Sequence, residues 1–215
     1  MIVAPSILSA DPSLLDKEIE LFSDSGAQFI HLDVMDGIFV RRVTHFGPEF
    51  VKGMHTNLVK DTHLMVIDPL RKIPLYAAGG SDIITFHFEA CRGETEIHEC
   101  LKMIHLLGKK AGLSIKPDTE VEAYLPFLDE IDLALIMSVE PGEGGQPFME
   151  KALDKIAWLA EKRKEGHRYL IEVDGGINME TGRKCAQAGA DILVSGTYII
   201  GDEHPVERVK GLLTL

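Results

Sequence analysis

Eight short apolar runs recur along this chain of 215 residues, and they constrain its fold more than any other feature. Successive runs are roughly 20–35 residues apart, which is the length of a strand with its following helix. A regular alternation of strands and helices predicts a parallel sheet that is covered by helices. The predicted strands are residues 2–8, 29–34, 58–66, 82–88, 111–116, 133–139, 169–174 and 192–195.

Eight strand–helix units leave little room for insertions in a chain of this length. We therefore predict an α/β fold, a single-domain (β/α)8 TIM barrel that spans residues 1–215. A doubly wound open sheet is the alternative. No linker, low-complexity block or change of composition divides the chain.

The charge balance narrows the class of partner. The chain has 22 basic and 34 acidic residues, a formal net charge of -12, whereas nucleic-acid backbones are bound by clustered Lys and Arg. No apolar run approaches the roughly 20 residues that a membrane span needs. Cys91, Cys100 and Cys185 lack metal-ligand spacing, and the N-terminus lacks a basic segment before an apolar one. We expect a reduced, cytoplasmic protein without a nucleic-acid or membrane partner.

Period-two alternation places polar side chains on the inner face of the predicted barrel, near the carboxyl ends of its strands. His31 and Asp33 come from the second strand, His63 from the third and Asp174 from the seventh. Catalytic groups of such barrels gather at this end. Two imidazoles and two carboxylates suit Zn, Fe(II), Mn or Co, so we predict a site for one divalent metal ion. A buried structural hydrogen-bond network is the alternative. Glu172 shares the inner face, and His87 ends the fourth strand.

Glycine clusters follow the last three predicted strands. They comprise residues 141–145, 175–176 and 195–197. Glycine allows backbone N–H groups to approach an anion, and barrels of this type commonly bind phosphate after the last two strands. The clusters therefore predict a phosphate site, with ordinary turns as the alternative. Neither GxGxxG nor GxxxxGK[ST] occurs, so a nucleotide motif is not supported.

The segment after the first glycine cluster carries a helix signal. Proline favours the first turn of a helix. Gln146 and Pro147 precede apolar residues that recur at helical spacing, so we expect a helix to begin at this pair. Its apolar positions are Phe148, Ala152, Ile156 and Leu159.

The ordered set of motifs closely resembles the ribulose-phosphate 3-epimerase family over essentially the whole chain. The motifs are APSILSAD (4–11), HLDVMDG (31–37), HLMV (63–66), FHFEA (86–90), MSVEPGEGGQPFMEK (137–151), IEVDGGIN (171–178) and VSGTYI (194–199). The resemblance implies a (β/α)8 barrel of the ribulose-phosphate-binding type. It also implies an isomerase of carbohydrate metabolism, in the pentose phosphate pathway, that interconverts D-ribulose 5-phosphate and D-xylulose 5-phosphate.

The same resemblance implies roles for individual residues. His31, Asp33, His63 and Asp174 would bind one divalent metal ion, and Asp33 and Asp174 would be the two acid/base catalysts. The expected partner is a small phosphorylated ketose, and we also expect a homo-oligomer. Substrate or phosphate contacts are implied for Ser6, His63, Gly142, Gly144, Gly145, Gly175, Gly176, Gly196 and Thr197, and an active-site lining for Met35, Met65 and Met137.

Two loops depart from the pattern of the family. Arg41 and Arg42 stand where the family has Pro-Asn, His45 is an insertion, and Glu143 replaces a Phe. These changes leave the sugar open, so D-allulose 6-phosphate is an alternative substrate. Glu143 is expected either to point to solvent or to pair with Arg41 or Arg42 as a latch across the pocket mouth.

Two other function classes compete with an epimerase. A metal-free phosphate-barrel decarboxylase would use Lys60 and Asp61, but it gives the inward His31 and His63 no role. A non-catalytic binding or regulatory barrel has no need for a pair of inward carboxylates. Bound metal distinguishes the first class from an epimerase, and proton exchange into the substrate distinguishes the second.

Overall fold

The computed structural model describes residues 1–11 and 13–215. Eight parallel strands form one sheet in the order β1-β8-β7-β6-β5-β4-β3-β2, and a parallel bridge between Ser6 and His31 joins β2 back to β1. The predicted barrel is therefore confirmed, and the open sheet is not the fold. The strands are β1 Ile2–Pro5, β2 Phe29–Met35, β3 Val59–Met65, β4 Ile83–His87, β5 Lys110–Ile115, β6 Leu133–Met137, β7 Leu170–Asp174 and β8 Ile192–Ser195.

Helices cover the outside of the barrel. In the described part of the chain a 3-10 segment, Val121–Phe127, occupies the connection between β5 and β6. None of the described helices is both long and apolar enough to cross a membrane. The helices are α1 Leu15–Ser25, α2 Pro48–Gly53, α3 Pro69–Ala78, α4 Glu94–Leu106, α5 Lys151–Arg163, α6 Met179–Ala188, α7 Thr197–Ile200 and α8 Pro205–Leu213.

Alternation along the strands separates the two sides of the sheet. On β2, Ile30, Leu32 and Val34 belong to the large core between the barrel and its helices, and burial of such side chains contributes about 1.5–3 kcal/mol each. The inner side is divided. Apolar residues such as Leu135 and Val194 fill the interior beside β6 and β8, whereas buried polar residues come from β2 to β5 and β7.

Two predicted boundaries are wrong by three residues or more. Strand β1 ends at Pro5 rather than at residue 8, because a 3-10 turn, Ile7–Ser9, follows Ser6 and takes the chain over the barrel mouth. Helix α5 begins at Lys151 rather than at Gln146 and Pro147. Gln146 instead donates hydrogen bonds from Nε2 to the carbonyl oxygens of Glu140 and Glu143, at 2.6 and 2.8 Å. These hydrogen bonds close the loop after β6 on itself, so Gln146 belongs to that loop and does not start the helix.

The start of α6 shows how a helix cap positions a loop. The Asn178 side chain accepts hydrogen bonds from the backbone N–H groups of Glu180 and Thr181, and the Thr181 hydroxyl completes a capping box. Such caps contribute about 1 kcal/mol. The same hydroxyl donates to the Gly176 carbonyl oxygen at 2.9 Å. The cap therefore fixes the glycine pair that follows β7.

We expect Gly112→Ala to destabilise the barrel strongly. A Cβ atom at Gly112 would lie 2.1 Å from Thr85 Oγ1 and 3.1 Å from the Thr85 backbone on the neighbouring strand. Overpacking of this kind costs about 1–3 kcal/mol or more. Gly53→Ala at the end of α2 is the matched control, because nothing lies within 4 Å of its added methyl group. Urea unfolding compares the two variants, and equal free energies of unfolding would contradict the expected clash.

Candidate active site

Four side chains meet at the carboxyl ends of β2, β3 and β7. One nitrogen or oxygen atom from each of His31, Asp33, His63 and Asp174 lies within 4.8 Å of the others. Asp33 Oδ1 is 3.5 Å from His31 Nε2 and 3.4 Å from His63 Nδ1. Asp174 Oδ2 is 3.9 and 3.7 Å from the same two nitrogens. The structure thus brings together four residues that are far apart in the sequence.

The donor atoms of this cluster fit a divalent metal ion. His31 Nε2 and His63 Nδ1 are buried, and neither has a hydrogen-bond partner within the described residues. Buried polar atoms without partners are rare in proteins and call for a physical explanation. Two imidazole nitrogens and two carboxylate oxygens aimed at one point form a donor set that binds Zn, Fe(II), Mn or Co. These four residues could therefore hold such an ion.

Side chains behind the cluster fix the orientation of two of its members. Asp61 Oδ2 lies 2.5 Å from His31 Nδ1, so the carboxylate holds the far edge of the ring. The Ser6 hydroxyl donates to Asp33 Oδ2 at 2.6 Å. Carboxylates that orient a ligating histidine in this way are a common feature of metal sites. Sequence reasoning did not include Asp61 in the cluster, although it lies two residues before His63 and so shares the inner face.

Burial and mutual charge separate the pKa values of the two carboxyl groups. Burial alone raises the pKa of Asp33, but the adjacent His31 and His63 rings lower it well below its ordinary value. Burial, followed by the charge of Asp33, raises the pKa of Asp174 to about 6. Burial and the nearby Asp61 raise the pKa of Glu172 well above its ordinary value. Two carboxyl groups with separated pKa values are a typical arrangement for acid and base roles.

A pocket lies directly above this cluster. Asp33 and Asp174 reach its surface, whereas His31 and His63 are fully buried beneath it. Except for His63, all the predicted substrate contacts line the pocket, and so do the three predicted methionines. These lining residues are Ser6, Gly142, Gly144, Gly145, Gly175, Gly176, Gly196, Thr197, Met35, Met65 and Met137.

The glycine loops form one side of the pocket, and two of their positions require glycine. Gly175 has φ +122°, and a Cβ atom there would lie 2.5 Å from the Val139 side chain. Gly176 has φ +63°, and its Cβ atom would lie 2.7 Å from the Phe148 backbone nitrogen. Side chains are excluded by both strain and contact, so the backbone itself lines this part of the pocket.

The loop residues that differ from the family pattern do not form the latch between Glu143 and Arg41 or Arg42. Glu143 is exposed, and within the described residues it makes no ion pair with Arg41 or Arg42. Arg42 donates instead to the Leu8 carbonyl oxygen at 3.3 Å.

Lys60 lies away from the pocket, because its Nζ donates to the carbonyl oxygen of Val51 on α2. The lysine that a decarboxylase would use is thus on the outside of the barrel.

Further residues belong to the site without having been predicted. Ser9 and Gln146 line the pocket, and His87 lies against His63 with 2.8 Å between their Nε2 atoms. Burial lowers the pKa of His87 to about 4. Burial opposes ionisation of Glu89, but its bond with His87 helps to lower its pKa to about 2. The inner-face alternation points to His87, whereas Glu89 lies beyond the strand and gave no periodic signal.

Comparison with known proteins shows the sequence family to which this chain belongs. The profile of the "Ribulose-phosphate 3 epimerase family" matches residues 2–200. Ribulose-phosphate 3-epimerase of Bacillus subtilis is 43% identical, over 97% of this chain and 98% of that protein. The Schizosaccharomyces pombe protein of the same name is 40% identical, over 98% of this chain and 91% of that protein. The solved structure of 3-hexulose-6-phosphate synthase from Salmonella typhimurium matches this chain with a TM-score of 0.73 at 15% identity, over 100% of this chain and 97% of that chain. This likeness shows a shared fold.

We expect Gln146→Ala to loosen the first glycine loop. The variant loses both hydrogen bonds from Nε2 to the loop carbonyls, and each contributes about 0.5–1.5 kcal/mol. Amide hydrogen exchange should become faster in residues 140–147. Gln187→Ala, on an exposed position of α6, is the control. Unchanged exchange in this loop would show that Gln146 does not hold it.

Proposed function

This chain belongs to the ribulose-phosphate 3-epimerase family, and we propose that it inverts C3 of a ketose phosphate, converting D-ribulose 5-phosphate to D-xylulose 5-phosphate. The enzyme is an isomerase. One observation carries the proposal: two carboxylates and two unpartnered imidazole nitrogens converge beneath a pocket lined by glycine loops. The family relatives named above carry the same activity in their names.

We assign one divalent metal ion to His31, Asp33, His63 and Asp174. Their donor atoms support Zn, Fe(II), Mn or Co as the ion. Such an ion would supply a Lewis acid beside the oxygen atoms of the substrate that become negative when the C3 proton is removed. The buried position supports this role, because charges interact more strongly where water is excluded.

Asp33 and Asp174 would act as the acid and base. Epimerisation next to a ketone removes a proton from one face of C3 and returns one to the other face, which needs two groups on opposite sides of a flat enediolate. Asp33 is the more readily ionised of the two, whereas burial raises the pKa of Asp174 to about 6. In one direction Asp33 would take the proton and Asp174 would give one, and the roles would be exchanged in the other.

The glycine loops would hold the phosphate end of the substrate. Gly144, Gly145, Gly196 and Thr197 line the same part of the pocket, where Thr197 lies 3.7 Å from the Cβ positions of both Gly144 and Gly145. Binding a group that does not react positions the reacting carbon over the carboxylates. Met35, Met65 and Met137 would cover the enediolate with apolar surface and exclude water.

The test is turnover of a panel of ketose phosphates in deuterated water, followed by NMR. D-ribulose 5-phosphate should yield D-xylulose 5-phosphate with deuterium at C3. D-allulose 6-phosphate is compared in parallel, since Arg41, Arg42, His45 and Glu143 distinguish these loops from those of the family. Preferred turnover of the six-carbon sugar would reassign the substrate, and no exchange into any ketose phosphate would refute the proposal.

We propose that the chain works as one barrel domain, residues 1–215, in the cytoplasm and as a homo-oligomer. The cysteines Cys91, Cys100 and Cys185 are free, which supports a reducing compartment. The homo-oligomer rests on the resemblance to the family, because single exposed apolar side chains such as Ile38 and Leu106 are ordinary on a protein surface. Sedimentation of the purified chain measures the oligomeric state.

We expect Asp33→Asn and Asp174→Asn each to lower kcat by about 10²–10⁴-fold, which is the usual contribution of an acid/base group. An amide cannot take up the C3 proton. Asp154→Asn, on the exposed side of α5, is the control and should retain activity. Near wild-type turnover by either active-site variant would exclude a mechanism with two bases.

We expect His31→Ala to lower metal content and activity together. The variant loses one of the four donors and leaves Asp61 without its imidazole partner. Metal bound per chain is measured by mass spectrometry after dialysis. His55→Ala changes an exposed histidine and should retain its metal. Full occupancy in His31→Ala would contradict the ligand assignment.

A further inference from the structure

A second imidazole lies behind His63, on the side away from the pocket. His87, the last residue of β4, is fully buried, and its Nε2 is 2.8 Å from His63 Nε2. The two rings stack with centroids 5.0 Å apart and an angle of 27° between their planes. His87 Nδ1 lies 3.2 Å from Glu89 Oε2. His63, His87 and Glu89 thus form a continuous hydrogen-bonded row that leads away from the site.

The direction of each hydrogen bond in this row follows from its two ends. Only one proton can lie between two Nε2 atoms, so one ring donates and the other accepts. His63 Nδ1 faces Asp33 and Asp174, and to bind a cation it must carry no proton. Its proton is therefore on Nε2 and is donated to His87. The His87 proton must then be on Nδ1, which donates to Glu89.

Glu89 is fixed as the acceptor at the far end. Its Oε1 accepts hydrogen bonds from the Lys116 backbone N–H, at 2.8 Å, and from the Thr119 hydroxyl. The loop that carries both donors is held by Lys155 of α5, whose Nζ donates to the carbonyl oxygens of Pro117 and Thr119. An ionised carboxylate can only accept. The anchored Glu89 therefore imposes one proton arrangement on both rings.

We propose that His87 and Glu89 are positioning residues that lock His63 in its Nε2–H tautomer, so that the Nδ1 lone pair is always offered to the cation. The inference rests on the metal site of the proposed function. His31 is held by a carboxylate directly, through Asp61, whereas His63 is held by a carboxylate through a second imidazole. Neither His87 nor Glu89 lines the pocket, so both would act through His63.

His87→Leu and His87→Gln separate this role from simple packing. Leucine fills the space without a polar atom, whereas glutamine can both accept from His63 and donate to Glu89. The metal-free proteins are titrated with Co²⁺ in competition with a chelator. His87→Leu should weaken Co²⁺ binding roughly 10–100-fold, the usual effect of losing an outer hydrogen-bond partner of a ligand. His87→Gln should recover most of that loss.

The tautomer itself is measured without any metal. In protein labelled with ¹⁵N-histidine, long-range ¹H–¹⁵N spectra should show His63 protonated at Nε2 in the wild type and in His87→Gln. In His87→Leu the Nδ1–H form should become populated. Glu89→Ala gives a second variant at a half-buried position in case His87→Leu does not fold, and it should show the same change to a smaller degree. Glu99→Ala, exposed on α4, is its control.

The outcomes distinguish this inference from the proposed function. Unchanged Co²⁺ affinity and an unchanged His63 tautomer in His87→Leu, or in Glu89→Ala if only that variant folds, would overturn the relay and leave the metal site intact. Equal losses in His87→Leu and His87→Gln would assign His87 to packing alone and also overturn it. A wild-type chain that bound no Co²⁺ would refute the metal site, and the spectra of the metal-free proteins would still decide the relay.

Discussion

The interior of this barrel holds ionisable groups that are almost entirely removed from water, and most features of the site follow from the need to balance them. His31, His63 and Asp61 are fully buried, and Asp33 is nearly so. Isolated buried charges cost several kcal/mol each, so they persist only when they are paired, hydrogen-bonded or bound to a metal ion. His31 and His63 each have a hydrogen-bond partner on the ring edge that faces away from the cluster. On the edge that faces the cluster, each has a nitrogen without a hydrogen-bond partner within the described residues.

The barrel mouth has two parts that differ in chemistry, one formed by charged side chains and the other by glycine backbone. Strands β2 to β4 and β7 supply the charged cluster and its supports, whereas the loops after β6, β7 and β8 supply glycine backbone to the pocket. The first half needs rigid side chains, and strands provide these because every second residue faces inward. In the proposed function the second half would bind an anion through backbone N–H groups, and glycine allows the close approach that this needs. The Thr181–Gly176 hydrogen bond ties the glycine side to a capped helix.

The fold alone would not have assigned this chemistry. One barrel fold can carry different sets of side chains and different chemistries. In this chain the inward positions of β2 and β3 carry histidines, and Lys60 is bound to α2 on the outside of the barrel. The direction in which these side chains point excludes an inward lysine at this position and favours a metal-dependent reaction.

The sequence by itself determined the eight strands, the inner face and the four residues His31, Asp33, His63 and Asp174, because spacing and alternation are local properties of a chain. It also identified every pocket glycine through the family motifs. Tertiary structure decided the rest. Glu89 lies beyond the end of β4, where it is within hydrogen-bond distance of His87 and accepts from the Lys116 backbone N–H on the loop after β5. Glu89 and Lys116 belong to different strand–helix units, so only closure of the barrel brings them together, and local periodicity carries no trace of the contact.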